Sequence, residues 1–118
     1  MKFIITENRV LDFLNKIIDD TINDLKDMKE ENWRNIPDEI SDYTWDDIEQ
    51  VLQMRITNIE KKKSTWDVTV DVTFDSVSGI HLDDIMWDIQ ELLRNKTGIN
   101  ITFHEGEVRN KYLEYGQW

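Results

Sequence analysis

The sequence predicts a single α+β domain over residues 1–118, in which two helices pack on one face of an antiparallel sheet. Two segments place apolar residues at three- and four-residue steps, which is typical of amphipathic helices. Other segments alternate apolar and polar residues, as strands with one buried face do. A length of 118 residues suits one domain of ordinary size.

The first helix is predicted over roughly Glu7 to Lys29, with Thr6 as its N-cap. Its apolar stripe consists of Val10, Leu11, Leu14, Ile17, Ile18, Ile22, Leu25 and Met28. Before this helix, Lys2 to Ile5 are long enough only for a short strand.

Residues 30–49 lose the helical period, and they are interpreted as a long, partly ordered connection. Large aromatic residues (Trp33, Tyr43 and Trp45) indicate that the segment packs on the domain, because disordered linkers are poor in such residues. A short helical turn is predicted to begin at Thr44.

A β-hairpin is predicted next. Trp66 to Phe74 alternates without error, and Val51 to Glu60 forms its partner strand across Lys61–Lys63. Pairing Ile56 with Val68 leaves a three-residue turn between the strands. This register places Leu52, Met54 and Ile56 on the same face as Val68, Val70 and Val72.

The second helix is predicted over about Leu82 to Lys96, and Gly98 ends it. Alternation at Ile99, Ile101 and Phe103 then predicts another strand. The last stretch, Val108 to Trp118, fits a helix or an edge strand equally well.

The resulting order is strand, helix, strand, strand, helix, strand, which is the ferredoxin-like βαββαβ arrangement. The alternative is a three-stranded sheet with two helices, in which the N-terminus lies elsewhere.

The composition is strongly acidic. The 25 acidic and 14 basic residues give a formal charge of −11, which disfavours nucleic acid and anionic membranes as partners. The charge is −9 over residues 12–49, +3 over 50–63 and −7 over 64–91. Two interpretations stay open: solvated helix faces that keep the protein in solution, or an acidic surface that meets a basic partner.

No catalytic residue, cofactor site or metal site is predicted, and we expect the protein not to be an enzyme. The chain has no cysteine and only two histidines, whereas a metal centre needs three or four convergent ligands. His81 is interpreted as a helix-start residue near Asp83 and Asp84. An alternative ligand or catalytic site is the open face of the sheet around Asp71 and His104.

The five tryptophans are the other unusual feature. Trp87 lies about 120–140° from the centre of the apolar stripe of its helix. It is therefore either covered by another part of the chain or available to a partner. The candidate interface residues are Trp87, Trp33, Trp45, Tyr115 and Trp118.

The opening MKFIITE, Met1 to Glu7, followed by an amphipathic helix, resembles the start of small proteins encoded by large tailed bacteriophages, including crAss-like phages. The resemblance covers about seven residues and implies a phage origin, with a virion or host-takeover role. The absence of alanine agrees with an AT-rich genome. The N-terminus lacks the apolar core of a signal peptide, so the expected location is the host cytoplasm or the virion.

Three functions are consistent with these patterns. The first is a protein-interaction domain, such as a structural or accessory phage component, that binds partner proteins through aromatic patches. The second is an acidic inhibitor or DNA mimic that binds a basic host protein. The third is a minor enzyme or ligand-binding domain.

Overall fold

The computed structural model describes residues 7–31 and 36–115. In chain order, these residues form α1 (Glu7–Glu30), α2 (Asp42–Asp47), a 3₁₀ turn (Ile48–Gln50), β1 (Val51–Lys61), β2 (Trp66–Phe74), α3 (Leu82–Thr97), β3 (Ile101–Asn110) and α4 (Lys111–Tyr115). The α+β class is confirmed. The predicted strand at Lys2 to Ile5 lies outside the described residues.

The strands form a mixed sheet in the order β1-β2-β3, with β1 antiparallel and β3 parallel to β2. The prediction of an antiparallel sheet was therefore wrong, and the ferredoxin-like order is not matched. The reason is the crossover: α3 carries the chain back along β2, so that β3 starts beside Trp66 and runs in the same direction. The alternative of a three-stranded sheet with two helices is closer, with α2 and α4 added as short helices.

The hydrophobic core lies between one face of the sheet and the two long helices. Val68, Val70 and Val72 of β2 are completely buried, as their alternation predicted. The buried side chains of the helices are Leu14, Ile18, Ile22 and Leu25 of α1 and Ile85, Met86, Ile89, Leu92 and Leu93 of α3. Both apolar stripes predicted from the sequence thus face one cluster, and the other face of β2 carries polar residues.

The hairpin register differs from the predicted one, and β1 contains two bulges. Ile56 lies opposite Val70 instead of Val68, and four residues connect the strands instead of three. The register shifts once between Ile56 and Asn58 and again between Val51 and Gln53. The second shift buries Val51 and leaves Leu52 50 % exposed, so the expected inward position of Leu52 was also wrong.

The segment between α1 and β1 is held against the helices by two charged side chains. The buried carboxylate of Asp88 accepts hydrogen bonds from the Ser41 backbone N–H and hydroxyl, both at 2.8 Å, and from the Thr44 hydroxyl at 2.7 Å. At the other end of α2, the Lys29 ammonium donates to the Trp45 carbonyl at 2.6 Å. These bonds confirm that residues beyond 36 in this connection pack on the domain.

Helix side chains also cap the backbone of the outer strands. The Asn15 amide accepts the N–H of Ile56 at 2.7 Å and donates to its carbonyl at 3.1 Å. On the opposite edge, the Gln90 Oε1 accepts the N–H of Phe103, and the Arg94 Nε donates to the carbonyl of Ile101, both at 2.7 Å. Unpaired edge groups invite pairing with other chains, and these contacts satisfy part of them.

A third bulge lies in β3, where Gly106 and Glu107 together oppose Asp71. The Asp71 carboxylate accepts the N–H of Glu107 at 2.8 Å. A Cβ on Gly106 would collide with that carboxylate and would lie 2.8 Å from the Thr69 methyl carbon. Glycine is therefore required at position 106 by the close approach of β2.

We expect Gly106→Ala to lower the free energy of unfolding by about 1–3 kcal/mol, because the added methyl group overpacks the bulge. Urea denaturation measures this loss. Asp71→Ala removes the main colliding group, so the double variant should lose less stability than the two single variants combined. Strict additivity of the two losses would show that the collision does not determine the requirement for glycine.

Candidate functional site

Trp87 is the one aromatic residue of α3, and its side chain is exposed. It is 61 % exposed, although its neighbour Met86 is buried in the core. Met86 faces the core, whereas Trp87, the next residue along the helix, lies on the side of α3 next to β3. The expectation that Trp87 lies off the buried stripe is confirmed, and residues 7–31 and 36–115 leave most of its surface uncovered.

Two adjoining depressions lie along the first half of α3. The first has a volume of about 210 Å³ and is lined by Asp83, Met86, Trp87, Gln90, Phe103 and Glu105. The second, of about 430 Å³, is lined by Ile80, His81, Leu82, Asp83, Asp84 and Glu105. Because Asp83 and Glu105 belong to both, we treat them as one surface, defined by His81, Asp83, Asp84, Trp87 and Glu105 and called the acidic groove.

The electrostatic character of the acidic groove follows from three carboxylates, two of which, Asp83 and Glu105, line the same depression as the Trp87 ring. Asp83 and Asp84 lie in the first turn of α3, where negative charge is favoured by the helix dipole. Glu105 comes from β3. The nearest arginine on α3, Arg94, is engaged by the Ile101 carbonyl and by Glu91. Apart from His81, no basic side chain is among the lining residues, so the groove suits a cationic ligand.

At the end of the groove that contains the start of α3, His81 is held by Asp47. The Oδ2 of Asp47 accepts the backbone N–H of His81 at 2.6 Å and lies 2.8 Å from its Nδ1. Asp47 is buried, whereas the imidazole is exposed and lies against Tyr43 with ring centroids 4.5 Å apart. A carboxylate only accepts hydrogen bonds, so Nδ1 carries a proton and Nε2 is left as an acceptor in neutral His81.

This His81–Asp47 contact has a structural role as well. His81 is the N-cap residue of α3, and its side chain makes no capping hydrogen bond to the helix. The carboxylate of Asp47, which ends α2, instead fixes both the backbone and the ring of His81. The interpretation of His81 as a helix-start residue is confirmed, and its carboxylate partner was not anticipated.

Of the other predicted interface residues, Trp45 has a described side chain, and it does not line the acidic groove. Trp45 packs against the core and has the Lys29 ammonium 5.8 Å from its ring centroid. Trp33 and Trp118, together with the side chain of Tyr115, lie outside what the structure describes. A role of these four residues in binding stays a prediction.

On the open face of the sheet, Asp71 and His104 make different contacts. Asp71 is engaged by the β3 bulge, while the Nε2 of His104 lies 3.5 Å from Asp67. His104 is opposite Thr69 in the register, and Asp71 is opposite the bulge. The two residues proposed for an alternative site therefore have different partners.

A further depression of about 330 Å³ lies between α1 and the edge of β1. Its charged residues are Asp12, Asp19, Lys16 and Arg55, so the two signs are balanced. It has no aromatic lining residue. The acidic groove is the better candidate for binding because it combines one sign of charge with exposed aromatic surface.

The basic hairpin turn is partly neutralised by its own neighbours. The Lys62 ammonium donates to the Glu60 carboxylate at 3.0 Å, and this hydrogen bond raises the pKa of Lys62. Lys61 lies 5.2 Å from the centroid of the Trp66 ring. Lys61 and Lys62 of this basic turn therefore both have partners within the hairpin.

Comparisons with protein-family models, with curated proteins and with solved structures found no match to this chain. Among the helices in residues 7–31 and 36–115, none has the length and apolar character needed to span a bilayer. Nor do the described side chains form a cluster of three or more potential metal ligands. The functional proposal therefore depends on the geometry of the acidic groove.

We expect neutral His81 to carry its proton on Nδ1. The ¹⁵N chemical shifts of the two ring nitrogens, recorded for the neutral ring, report the tautomer. Asp47→Asn should weaken this preference, because an amide that flips can either accept or donate. His104 is the comparison, since its contact to Asp67 is made through Nε2. A dominant Nε2–H tautomer at His81 would contradict the assigned hydrogen bond.

Proposed function

We propose that this protein is a protein-interaction domain whose acidic groove binds a basic segment of a partner protein. The observation that carries the proposal is Trp87, a large aromatic side chain left 61 % exposed between the carboxylates of Asp83 and Glu105. Exposed tryptophans supply much of the binding energy at protein interfaces when a partner covers them.

The chemistry of the groove favours arginine and lysine in the partner. A cation above the Trp87 ring gains from the negative face of the aromatic system. The carboxylates beside the ring supply ion pairs, and guanidinium groups bind carboxylates through two parallel hydrogen bonds. Burying the exposed part of the ring adds an apolar contribution of about 2 kcal/mol.

A setting in a phage particle is the context that the N-terminal resemblance suggests, and we propose it on that ground alone. In a virion, such a groove would join this domain to a basic neighbour. Mass spectrometry of purified particles tests that setting separately from the binding chemistry.

The acidic inhibitor remains the second candidate, because it needs the same attraction to a basic protein. Its favouring observation is the charge of −9 over residues 12–49, which lies outside the acidic groove. A DNA mimic acts through many carboxylates, and double-stranded DNA would compete for its partner. Binding that depends on Trp87 and does not compete with DNA would favour the interaction domain.

We expect a random peptide library selected on the wild-type protein to yield peptides rich in arginine and lysine. Trp87→Ser should weaken the binding of these peptides about 30-fold, the loss expected when a residue that contributes about 2 kcal/mol is removed. Raising the salt concentration from about 0.05 M to about 0.5 M should also weaken binding, because it screens the carboxylates.

Phe13→Ser is the matched control, because Phe13 is an exposed aromatic on α1 that does not line the groove. It should leave peptide affinity unchanged. Both substitutions are at exposed positions and should leave the urea unfolding midpoint nearly unchanged. Peptides that bind the two variants equally well, or that bind independently of salt, would refute the proposed function.

A further inference from the structure

The backbone of β3 is capped by α3 in regular steps. Arg94 binds the carbonyl of Ile101, and Gln90, four residues earlier on the helix, binds the N–H of Phe103, two residues later on the strand. Four helical residues rise about 6 Å and two strand residues about 6.6 Å, so the two elements stay in step. The next pair in this series is Met86 on α3 and Glu105 on β3.

At this third step the polar capping residue is replaced by an apolar one. Met86 cannot donate a hydrogen bond, and its sulfur is only a weak acceptor. The N–H of Phe103 points away from β2, and alternation along the strand sends the N–H and carbonyl of Glu105 the same way. No hydrogen bond from any residue in 7–31 or 36–115 reaches this outer side of Glu105.

The open backbone position is short. Beyond Glu105, the bulge at Gly106 and Glu107 shifts the strand register, and the N–H of Glu107 turns to Asp71. On the other edge of the sheet, Asn15 occupies both backbone groups of Ile56. Among the described residues, Glu105 is thus the position beside Trp87 at which a guest strand can pair with the backbone of β3, between the capped residues 101–103 and the bulge.

We propose that the acidic groove binds its partner as an extended basic segment that forms an antiparallel bridge to the backbone of Glu105. In such a bridge, two opposed residues exchange both of their hydrogen bonds, so one open residue is sufficient. The guest residue opposite Glu105 is an arginine. Its side chain lies on the same face of the sheet as the Glu105 side chain, over Trp87 and beside Asp83. This inference rests on the proposed function and adds the conformation and the anchor residue of the ligand.

The favoured occupant follows from charge. Strand addition gives affinity through the backbone and specificity through alternate side chains. The carboxylates of Asp83, Asp84 and Glu105 line the acidic groove and favour cationic side chains at those alternate places. A second copy of this chain is a poorer fit, because a charge of −11 on each copy opposes association.

The probe is the capped peptide acetyl-Thr-Lys-Val-Arg-Val-Lys-Thr-amide, titrated into the wild-type protein and followed by ¹⁵N–¹H NMR. Shift changes should centre on Trp87 and Glu105. Hydrogen exchange of the Glu105 amide should slow on binding, because this amide gains an acceptor. A peptide with glutamate in place of arginine and lysine should not bind.

N-methylation of the peptide separates the bridge from side-chain binding. Methylation at the central arginine removes the N–H that Glu105 would accept, and we expect affinity to fall at least tenfold. Methylation at either valine, whose N–H points away from β3, should change affinity less than about twofold. In the protein, Met86→Gln restores the polar capping step and should weaken binding, while Met86→Leu should not.

The outcomes distinguish the two proposals. Binding that requires Trp87, with no effect of N-methylation and no change at the Glu105 amide, would overturn the bridge and leave the proposed function intact. Binding that does not require Trp87 would overturn both. Slow exchange of the Glu105 amide in the free protein would show that the position is already occupied, and would overturn the bridge. The N-methyl comparison stays decisive even if Met86→Gln unfolds the protein.

Discussion

Within the described sheet, only β2 has both edges paired to neighbouring strands, and the helices satisfy part of the outer edges of β1 and β3 as well as cover the apolar face. Asn15 of α1 does this for β1, and Gln90 and Arg94 of α3 do it for β3. Each bond fixes a helix against a strand at one register. The orientation of the helices, and therefore the place of every surface side chain on them, depends on these few contacts between side chains and backbone.

The two halves of α3 make different contacts with β3. Polar side chains of its C-terminal half hydrogen-bond to the backbone at the start of β3. The helix ends at Gly98, which has the left-handed conformation. Its N-terminal half presents Trp87 and two carboxylates beside β3, where the bulge at Gly106 ends regular pairing. The same helix thus hydrogen-bonds to one part of an edge strand and, within residues 7–31 and 36–115, makes no such bond to the next part, which is the basis of the proposed binding site.

The two long helices and the central strand could be predicted from the sequence, because local periodicity encodes them. The limits of β2 and the apolar stripes of α1 and α3 follow from burial on one face, and Trp87 follows from its angle to that stripe. The remainder of the acidic groove could not be predicted in this way. Glu105 and Asp47 approach α3 from distant parts of the chain, and no spacing in the sequence relates either residue to Trp87. Glu105 continues the alternation of Ile101 and Phe103. This was a weak indication that its side chain lies on the same face of β3 as theirs.

By itself, the sequence determined the α+β class, the limits of the main helices and β2, the strong negative charge and the place of Trp87 off the buried stripe of its helix, because each depends on composition or on the nearest few residues. Only the tertiary structure decided the parallel pairing of β3, the bulges at β1 and Gly106, and the approach of Asp47 and Glu105 to the first half of α3. These features depend on hydrogen bonds between residues tens of positions apart, whose geometry is set when the helices and strands pack together.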